Sequence, residues 1–447
     1  MSLEWNVTTI GELCSNVSSG GTPKSTNDEY YGGDIPWLNT KEINFNRIYD
    51  TEKHITKEGF ENSAAKWVKK DSVIVAMYGA TAAKVALNKV DLTTNQACCN
   101  LTIDKSLANP KFVYYYLYSN YDRLLNLASG AAQQNLNSNI IKEFPINIPS
   151  LNMQNEVVNL LSTIDDKIEI NQKINKNLYQ IIEIKFKNYV GDFSNLETIV
   201  LSDYCKEIIR GFNSKYVEKS NLINLNQKVN KGDILEKQYY KFLDESITVP
   251  KEKFARKKDV LLNSLGDGTL GRVHYYNEDT NNIVIDQHIT IIRSDENKLP
   301  SSYIYQYLKC GAGQYHLDSL IAGSTGMLML NISNIRNLEM PILPQDKLLE
   351  FDKFASMLFE KISINSKEIE KLQKLRDTLL PKLMSGEIDV SKINCDLIIK
   401  VVKFLFIDLL TLIFLLNNEI KSAISFCLSN DGTGINKSAI SLVFTTD

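Results

Sequence analysis

The chain has 447 residues, of which 43% are hydrophobic, and a formal net charge of −3. This length exceeds what one hydrophobic core serves and predicts two or three domains. The negative charge argues against indiscriminate binding of polyanions, but net charge says nothing about local basic surfaces that could meet nucleic acid. Seven scattered cysteines show no CxxC or Cys/His metal spacing, and residues 1–10 lack the apolar segment of a signal peptide, so we expect reduced thiols and a cytoplasmic location.

Residues 1–150 are predicted to form a mixed α+β domain. Short runs of β-type residues alternate with turn signals such as residues 20–23, and residues 72–77 are predicted to be a buried strand. Residues 109–125 predict an aromatic helix that begins at an Asn-Pro pair. Prolines at 145 and 149 end the domain.

From residue 151 the hydrophobic pattern changes to steps of three and four, which predicts a long helix over 151–196. A second mixed domain is predicted over 197–344 and a second long helix over 345–390. Residues 391–447 form an atypical hydrophobic tail.

The chain contains an internal repeat. Residues 167–178 reappear as residues 361–372, displaced by 194 positions, and the two domains ahead of these helices are more loosely similar. The apolar spacing predicts that the two helices pair as an antiparallel coiled coil. An asparagine inside such a seam restricts the register, whereas the alternative is an exposed asparagine on an imperfect stripe. The predicted pairing residues are Ile164, Ile168, Asn171, Leu178, Leu358, Ile362, Asn365, Ile369 and Leu372.

Several motifs resemble those of one family, the specificity subunits of type I restriction-modification systems. The similarity covers residues 1 to about 390 and is strongest near the C-terminal helix, over residues 374–388. The motifs are Gly20-Gly21-Thr22-Pro23, Tyr31-Gly32-Gly33-Asp34-Ile35-Pro36-Trp37-Leu38 and Gln134-Asn135-Leu136 in the first copy, and Gly323-Ser324-Thr325 and Leu330-Asn331-Ile332 in the second.

This resemblance implies an α+β fold with two target-recognition domains, each reading one half of an asymmetric, interrupted double-stranded DNA sequence. It also implies two modification subunits that bind S-adenosylmethionine and methylate adenine, and, where the system restricts DNA, two restriction subunits that use ATP and Mg. The chain itself is then expected to bind no cofactor and to catalyse no reaction. The sequence agrees, because it has no Walker A loop, no Asn/Asp-Pro-Pro-aromatic motif and no metal-binding carboxylate cluster.

Two motifs have a structural interpretation instead of a catalytic one. Asn109-Pro110 lacks the second proline of a methylase signature and is predicted to start a helix. The GxGxxG pattern at residues 266–271 precedes a β-type run instead of the helix that a dinucleotide site requires, so we predict a hairpin turn.

DNA contact requires Lys or Arg at phosphates and Arg, Asn, Gln, Ser or Thr at base edges. A run of charge near a strand is more often only solvated surface, and Trp37 and the tyrosines of 114–118 are expected to fill the core. The candidates in the first domain are Lys24, Asn39, Lys41, Thr81, Lys84, Gln133 and Gln134. The candidates in the second domain are Arg210, Lys215, Lys251, Lys253, Lys257, Lys258, Asn263, Ser264 and Arg272.

The tail departs from the family pattern, because residues 397–416 are almost continuously apolar and approach the length of a membrane span. Three interpretations stay open: a non-native extension, an extra helix packed on the body or a partner, and a membrane anchor. The alternatives for the whole chain are the specificity subunit of a methylation-only system, an enzyme in its own right, and a structural or membrane-tethered coiled-coil protein.

Overall fold

The computed structural model describes residues 5–128, 135–191, 193–213, 215–266, 268–323 and 328–390. The described chain divides into two compact units. Unit 1 comprises the residues up to Ile168 together with those from Glu370 onward, and unit 2 comprises Glu169–Ile369. Each unit therefore contains a globular part and a segment of each long helix. The predicted tail, residues 391–447, lies outside the described residues.

Unit 1 is a mixed α+β domain. Its strands are β1 (Asn6–Thr9), β2 (Cys14–Ser19), β3 (Tyr31–Leu38), β4 (Asn46–Ile48), β5 (His54–Ile55), β6 (Trp67–Val68), β7 (Val73–Ala76), β8 (Val85–Asn88), β9 (Leu92–Thr94), β10 (Cys98–Ile103) and β11 (Pro145–Ile148). Its helices are α1 (Lys57–Glu61), α2 (Pro110–Ser119), α3 (Tyr121–Ala128), α4 (Ser138–Glu143) and the first part of α5 (Leu151–Val190), with 3-10 turns at Gly11–Leu13, Asp28–Tyr30, Thr40–Glu42 and Gly79–Thr81.

The main sheet of unit 1 has the strand order β2-β10-β7-β8-β4, and a smaller sheet has the order β5-β3-β9-β6. Strand β7 is buried on both faces, because Val73 and Val75 pack in the core shared with the helices while Ile74 packs in a second core on the opposite face. The core on the helix side also contains Leu161 from α5 and Leu383 from the second long helix.

Unit 2 repeats this plan. Its strands are β12 (Glu197–Val200), β13 (Cys205–Arg210), β14 (Tyr216–Val217), β15 (Ile223–Leu225), β16 (Lys241–Leu243), β17 (Asp259–Asn263), β18 (Val273–Tyr276), β19 (Ile283–Ile285), β20 (Ile289–Ser294), β21 (Ile321–Ala322), β22 (Met329–Leu330) and β23 (Glu339–Ile342). Its helices are the rest of α5, α6 (Ser301–Lys309), α7 (Gly311–Ser319), α8 (Ile332–Arg336) and most of α9 (Gln345–Met384), with 3-10 turns at Leu201–Tyr204, Lys237–Tyr239 and Lys251–Lys253.

The main sheet of unit 2 has the order β13-β20-β17-β18, which matches β2-β10-β7-β8 of unit 1 strand for strand. Its β17 also faces two cores, with Leu262 on the helix side and Leu261 on the side of the smaller sheet β14-β16-β15-β19. Two sequence predictions are confirmed here. Asn109 caps the N-terminus of α2, and the described residues 266 and 268–271 lie in the turn between the antiparallel strands β17 and β18. The aromatic helix predicted over 109–125 is in fact two helices, interrupted at Asn120.

The two long helices run antiparallel where they pair. Near the middle of α5, Asn171 donates from its amide to Glu368 of α9 (2.7 Å). Fifteen residues further along α5, Phe186 packs on Phe351, with ring centroids 5.6 Å apart. Residue numbers on α9 fall as the residue numbers of their contacts on α5 rise, so the two helices run in opposite directions. The predicted fold class, two mixed domains with antiparallel paired helices, is confirmed.

The seam contains buried polar pairs. Asn171 and Asn365 are each only 2% exposed, which excludes the alternative of exposed residues on an imperfect stripe. Asn171 bonds to Glu368 and Asn365 to Asn175, so the two asparagines have different partners. The Asn365–Asn175 distance is 2.8 Å, and Asn175 itself donates to Ser366 (3.2 Å). Of the predicted pairing residues, Ile369 is half-buried and the others are buried: Ile164, Ile168, Asn171, Leu178, Leu358, Ile362, Asn365 and Leu372.

A buried ion pair joins the helices within unit 1. The guanidinium of Arg376 on α9 donates to Asp165 of α5 and to the hydroxyl of Tyr118 on α2, both at 3.0 Å. The second oxygen of Asp165 accepts from Tyr115 (2.6 Å). The Arg376 and Asp165 side chains are only 13% and 10% exposed, so this pair is shielded from solvent and fixes three helices against one another.

Replacement of Arg376 tests this interaction. Arg376→Met is expected to lower the free energy of unfolding by about 3–5 kcal/mol, because it leaves the Asp165 carboxylate buried without its cation. Urea denaturation followed by tryptophan fluorescence measures unit 1 selectively, since the three tryptophans of the chain are Trp5, Trp37 and Trp67. The control Lys374→Met changes an exposed cation of the same helix and is expected to have little effect. An equal loss in both variants would contradict a special role of the buried pair.

A buried histidine predicts a pH dependence in unit 2. His274 on β18 bonds through Nδ1 to the carbonyl of Gly232 (2.6 Å), and burial lowers its pKa below the ordinary histidine value of about 6.5. Below about pH 6.5 the His274 side chain therefore binds a proton in the unfolded chain but not in the folded chain. The contribution of His274 to stability is fully present above about pH 6.5 and is lost as the pH falls toward the lowered folded-state pKa. Calorimetry at pH 7.5 and pH 5.5 is expected to show a smaller loss of melting temperature for His274→Gln than for the unchanged chain; equal losses would refute this.

Candidate nucleic-acid interface

One end of the main sheet in each unit is formed by converging loops. In unit 1 this loop end consists of residues 20–24, 77–84, 94–97 and 135–136. In unit 2 it consists of residues 211–215, 264–272, 285–288 and 328–330, apart from positions 214 and 267, which lie outside the described residues. Loops on a rigid sheet are common sites for binding groups. Six of the sixteen sequence candidates fall in these segments: Lys24, Thr81, Lys84, Lys215, Ser264 and Arg272.

Equivalent hydrogen bonds hold the loop end in both units. The amide of Gly21 donates to the carbonyl of Thr94 (2.9 Å) in unit 1, and the amide of Phe212 donates to Ile285 (2.7 Å) in unit 2. Four further bonds of unit 1 each have a counterpart in unit 2. In each case a backbone amide donates to a backbone carbonyl. In unit 1 the bonds run from Asn95 to Leu38, from Cys98 to Asn95, from Met77 to Ala97 and from Leu136 to Met77. The counterparts in unit 2, in the same order, run from Asp286 to Leu225, from Ile289 to Asp286, from Ser264 to His288 and from Leu330 to Ser264.

A side-chain turn closes the tip of each loop end. The Asn95 side chain accepts from the amide of Ala97 (3.1 Å), and Asp286 accepts from the amide of His288 (2.9 Å). Such turns stabilise a fixed backbone path without secondary structure. The residue between the acceptor and the donor of this turn is a glutamine in both units. Gln96 of unit 1 is exposed, and Gln287 of unit 2 is half-exposed.

Glycine is required where this tip passes the first strand. A Cβ atom on Gly20 would lie 2.0 Å from the carbonyl oxygen of Thr94, and one on Gly211 would lie 2.2 Å from that of Asp286. No side chain fits at either place, so the close approach of the two backbones explains both glycines.

The hairpin turn that follows β7 in unit 1 and β17 in unit 2 ends at a positively charged residue in both units. Ala83 (φ 65°) and Gly271 (φ 80°) adopt the left-handed conformation at the end of this turn. Lys84 and Arg272 follow directly. The turn therefore presents a positive side chain at the same topological position of each unit.

The structure brings most of the unit 1 candidates together. Lys24 and Lys41 are exposed, and the 3-10 turn Thr40–Glu42 packs beside the turn Gly79–Thr81 that carries Thr81. Lys41 forms an ion pair with Glu52 (2.6 Å). The remaining described candidates, Asn39 and Lys84, lie beside these turns, and Gln133 and Gln134 lie outside the described residues.

An open concavity of about 640 Å³ adjoins these residues in unit 1. Its lining combines aromatic, acidic, basic and amide groups: Thr22, Ser25, Asp28, Tyr31, Gly32, Gly33, Trp37, Asn39, Glu52, Lys53 and His54. Trp37 is only 4% exposed and its indole nitrogen donates to Gly21 (2.9 Å). Trp37 and residues 114–117 are buried, as expected, and Tyr118 is half-buried.

In unit 2, the structure brings Arg210 and Lys253 together. The ammonium of Lys253 donates to the carbonyl of Arg210 (2.8 Å), and the Arg210 guanidinium donates to the carbonyl of Leu330. Burial lowers the pKa of Arg210, but guanidinium pKa values are so high that it stays charged. Arg272 donates to Gly268 (2.9 Å), and Lys215 is exposed.

Two candidates need correction because the structure buries them. Asn263 and Ser264 are both 0% exposed. The Asn263 amide donates to the carbonyl of Gln227 (3.0 Å) and accepts from Asn230 (3.0 Å), while the Ser264 hydroxyl bonds to Thr290 (2.6 Å). These side chains satisfy buried backbone and amide groups and do not face a ligand surface.

The basic run of the second domain is not one surface. Lys257 and Lys258 precede β17, whereas the loop end follows it, and the strand is roughly 15 Å long. Lys257 pairs with Glu360 of α9 (2.8 Å) and Lys258 with Glu296 (2.7 Å). Lys251 is exposed on the 3-10 turn Lys251–Lys253. The sequence run is therefore divided between the loop end and the helix side.

Sequence reasoning missed Gln96 and Gln287. The signal was present, because the two glutamines are displaced by 191 positions, the same displacement that relates Gly20 to Gly211. Tyr216 was also missed. It is 49% exposed and donates to Asp286 (3.0 Å), and burial together with this carboxylate raises its pKa to about 12.

The described residues contain neither a metal site nor a membrane span. Within them, no group of three or more His, Cys, Asp or Glu side chains is placed to hold a metal ion. In the same part of the chain, no helix combines the length and the apolar character needed to cross a bilayer.

Comparison with known proteins agrees with the sequence resemblance. Residues 2–180 match the family described as type I restriction modification DNA specificity domain. The type I restriction enzyme MjaIX specificity subunit of Methanocaldococcus jannaschii is 29% identical over 87% of this chain and 95% of its own length. The HindI specificity subunit of Haemophilus influenzae is 21% identical over 86% of this chain and its full length.

Residues 2–180 thus resemble a type I restriction modification DNA specificity domain, and most of the chain is similar to type I specificity subunits. The fold agrees, since the crystal structure of the type I S subunit from M. genitalium superposes with a TM-score of 0.54 at 19% identity, covering 86% of this chain and 96% of that one. The description of the matched family names DNA specificity. The loop ends are the candidate surfaces for DNA recognition.

The burial of Asn263 predicts a specific result. Asn263→Ala is expected to lower the free energy of unfolding by about 1–3 kcal/mol, because it removes the buried side chain that accepts from Asn230 and donates to the carbonyl of Gln227. Urea denaturation followed by circular dichroism measures this loss, and DNA affinity under folding conditions is expected to be unchanged. The comparison variant is Asn213→Ala, an exposed loop-end asparagine, which is expected to leave stability unchanged. A fall in DNA affinity for Asn263→Ala without a loss of stability would restore Asn263 as a contact residue.

Proposed function

We propose that this chain is a type I specificity subunit that reads a bipartite, asymmetric DNA target, with one unit for each half-site, and holds two modification subunits that methylate adenine. The observation that carries the proposal is the duplicated loop end. Two units with the same hydrogen-bonded frame present different side chains at it, for example Ala97 in unit 1 and His288 in unit 2. Equivalent frames with different surfaces suit two half-sites of different sequence.

The paired helices support the spacer role. Their buried polar pairs, such as Asn365 with Asn175, satisfy their hydrogen bonds in one register, and a fixed register gives a fixed spacer. The outer face of α9 also exposes apolar side chains in unit 2, with Leu349 at 53%, Met357 at 46% and Ile364 at 53%. Exposed apolar groups along one helix suit a protein partner, and we assign this face to a modification subunit.

In this proposal the chemistry lies on the partners. S-adenosylmethionine binds the modification subunits, ATP and Mg serve restriction subunits where these are present, and the chain itself selects the site in the cytoplasm. A methylation-only system would use the same chain in the same way. The possible membrane tether depends on residues 391–447, which lie outside the described residues.

Exchange of one domain tests the proposal. Residues 1–150 are replaced by the corresponding domain of a relative with a different target, and adenine methylation is mapped across the genome of cells that also express the modification subunits. One half of the methylated motif is expected to change while the other half and the spacing persist. The matched control exchanges residues 197–344 and is expected to change the opposite half.

A change of both halves after either exchange would show that the units do not read independently. Loss of the chain without loss of any adenine mark would show that it does not direct methylation. Deletion of residues 391–447 is a further control, because the proposal assigns no part of target reading to them.

A further inference from the structure

The duplication divides the loop-end residues into two classes. At three equivalent positions the two units carry the same kind of polar side chain. A lysine lies four residues after Gly20 in unit 1 and four residues after Gly211 in unit 2. A cation follows the left-handed residue at the end of the hairpin turn, and a glutamine lies at the tip of the loop end. These shared pairs are Lys24 and Lys215, Lys84 and Arg272, and Gln96 and Gln287.

Other loop-end positions differ in chemistry between the units. Unit 1 has a tyrosine, a threonine and an alanine where unit 2 has a leucine, an asparagine and a histidine. The equivalences follow from the frame hydrogen bonds and from the common displacement of the first strand and the tip. These differing pairs are Tyr78 and Leu265, Thr22 and Asn213, and Ala97 and His288.

The two classes suit different parts of a DNA duplex. The sugar-phosphate backbone is the same in every half-site, whereas the base edges differ from one half-site to the other. A side chain that is the same in both units is therefore expected to contact the DNA backbone, and a side chain that differs between the units is expected to contact the bases. The charge agrees, because the shared class consists of cations and an amide, the groups that bind phosphate.

The geometry of Gln96 favours phosphate over a base. Its side-chain oxygen accepts from the hydroxyl of Thr22, which leaves the amide NH2 to donate. Reading adenine with glutamine uses the oxygen and the nitrogen together, and the Thr22 bond already occupies one of the two lone pairs of that oxygen. A phosphate oxygen only accepts hydrogen bonds, so it matches the donor that remains.

Arg272 carries an unsatisfied donor atom, which is buried in this structure. Its Nη2 donates to the carbonyl of Gly268 (2.9 Å), which fixes the guanidinium on the turn. Its Nη1 is buried and has no hydrogen-bond partner within the part of the chain that the structure describes. A buried cationic donor of this kind is costly unless an acceptor completes it. Lys84, its counterpart, is held on Asn44 (2.7 Å).

We propose that these shared residues form a sequence-independent clamp on the DNA backbone, identical in plan in both units, while the differing residues select the bases. The proposal rests on the function proposed above, in which each unit meets one half-site. It assigns Gln96 and Gln287 a positioning role.

The test uses the full-length chain purified with its modification subunits. The probes are a labelled duplex carrying the methylated motif and a duplex of equal length with both half-sites scrambled. Dissociation constants are measured by fluorescence anisotropy between about 50 and about 200 mM KCl. The variants are Gln96→Ala, Gln287→Ala, Lys24→Ala and Lys215→Ala, and the melting temperature of each is compared with that of the unchanged chain.

Each glutamine variant is expected to weaken binding of both duplexes by the same factor, about five-fold, as for one lost hydrogen bond, with an unchanged salt slope. Each lysine variant is expected to weaken both duplexes equally and to reduce the salt slope by about one. The control Lys257→Ala removes an exposed lysine of unit 2 at the far end of β17 and is expected to alter neither quantity. Exchange of the counterpart cations, Lys84→Arg and Arg272→Lys, is expected to preserve affinity.

The outcomes separate this inference from the proposed function. If the unchanged complex binds both duplexes equally, target reading itself is refuted. If it discriminates, but the glutamine variants weaken only the motif duplex, the glutamines read bases and the clamp is refuted. A lysine variant with an unchanged salt slope, or an effect of Lys257→Ala equal to that of Lys215→Ala, likewise overturns the clamp.

Discussion

The packing of two antiparallel helices is the interaction on which the rest of the structure depends. Neither globular part closes its core alone, because each uses apolar side chains from both α5 and α9. In unit 1 the core includes Leu161 and Leu383, and in unit 2 it includes Ile182 and Leu358. Folding of each unit is thereby coupled to pairing of the helices. The buried polar pairs then favour one register, since another register would leave amides unsatisfied.

The duplicated frame separates scaffold from specificity. The loop ends are joined by the same backbone hydrogen bonds, which do not depend on side-chain identity, and by glycines where the backbones touch. Side chains on such a frame can differ without loss of the fold. This explains how two units of weak sequence similarity keep the same strand order and still present different surfaces.

Much of the architecture was predictable because it rests on local periodicity. The steps of three and four along α5 and α9, the helix start at Asn109 and the hairpin at residues 266–271 each depend on neighbours in sequence. The family resemblance was predictable for the same reason, since the motifs that carry it are turns and helix positions. Asn120, which interrupts the aromatic helix, was not marked by any glycine or proline.

The sequence by itself determined the long helices and their repeat, because patterns of hydrophobicity act over a few residues, and its turn and helix motifs carried the family resemblance. Only the tertiary structure decided which polar side chains face outward. Asn263 and Ser264 look like surface residues beside a turn but are buried, since the Asn230 segment and β20 cover them. Gln96 looks unremarkable but stands at the tip of the loop end. Exposure depends on strand register and on segments far away in the chain, so contacts between distant segments, and not local pattern, select the surface.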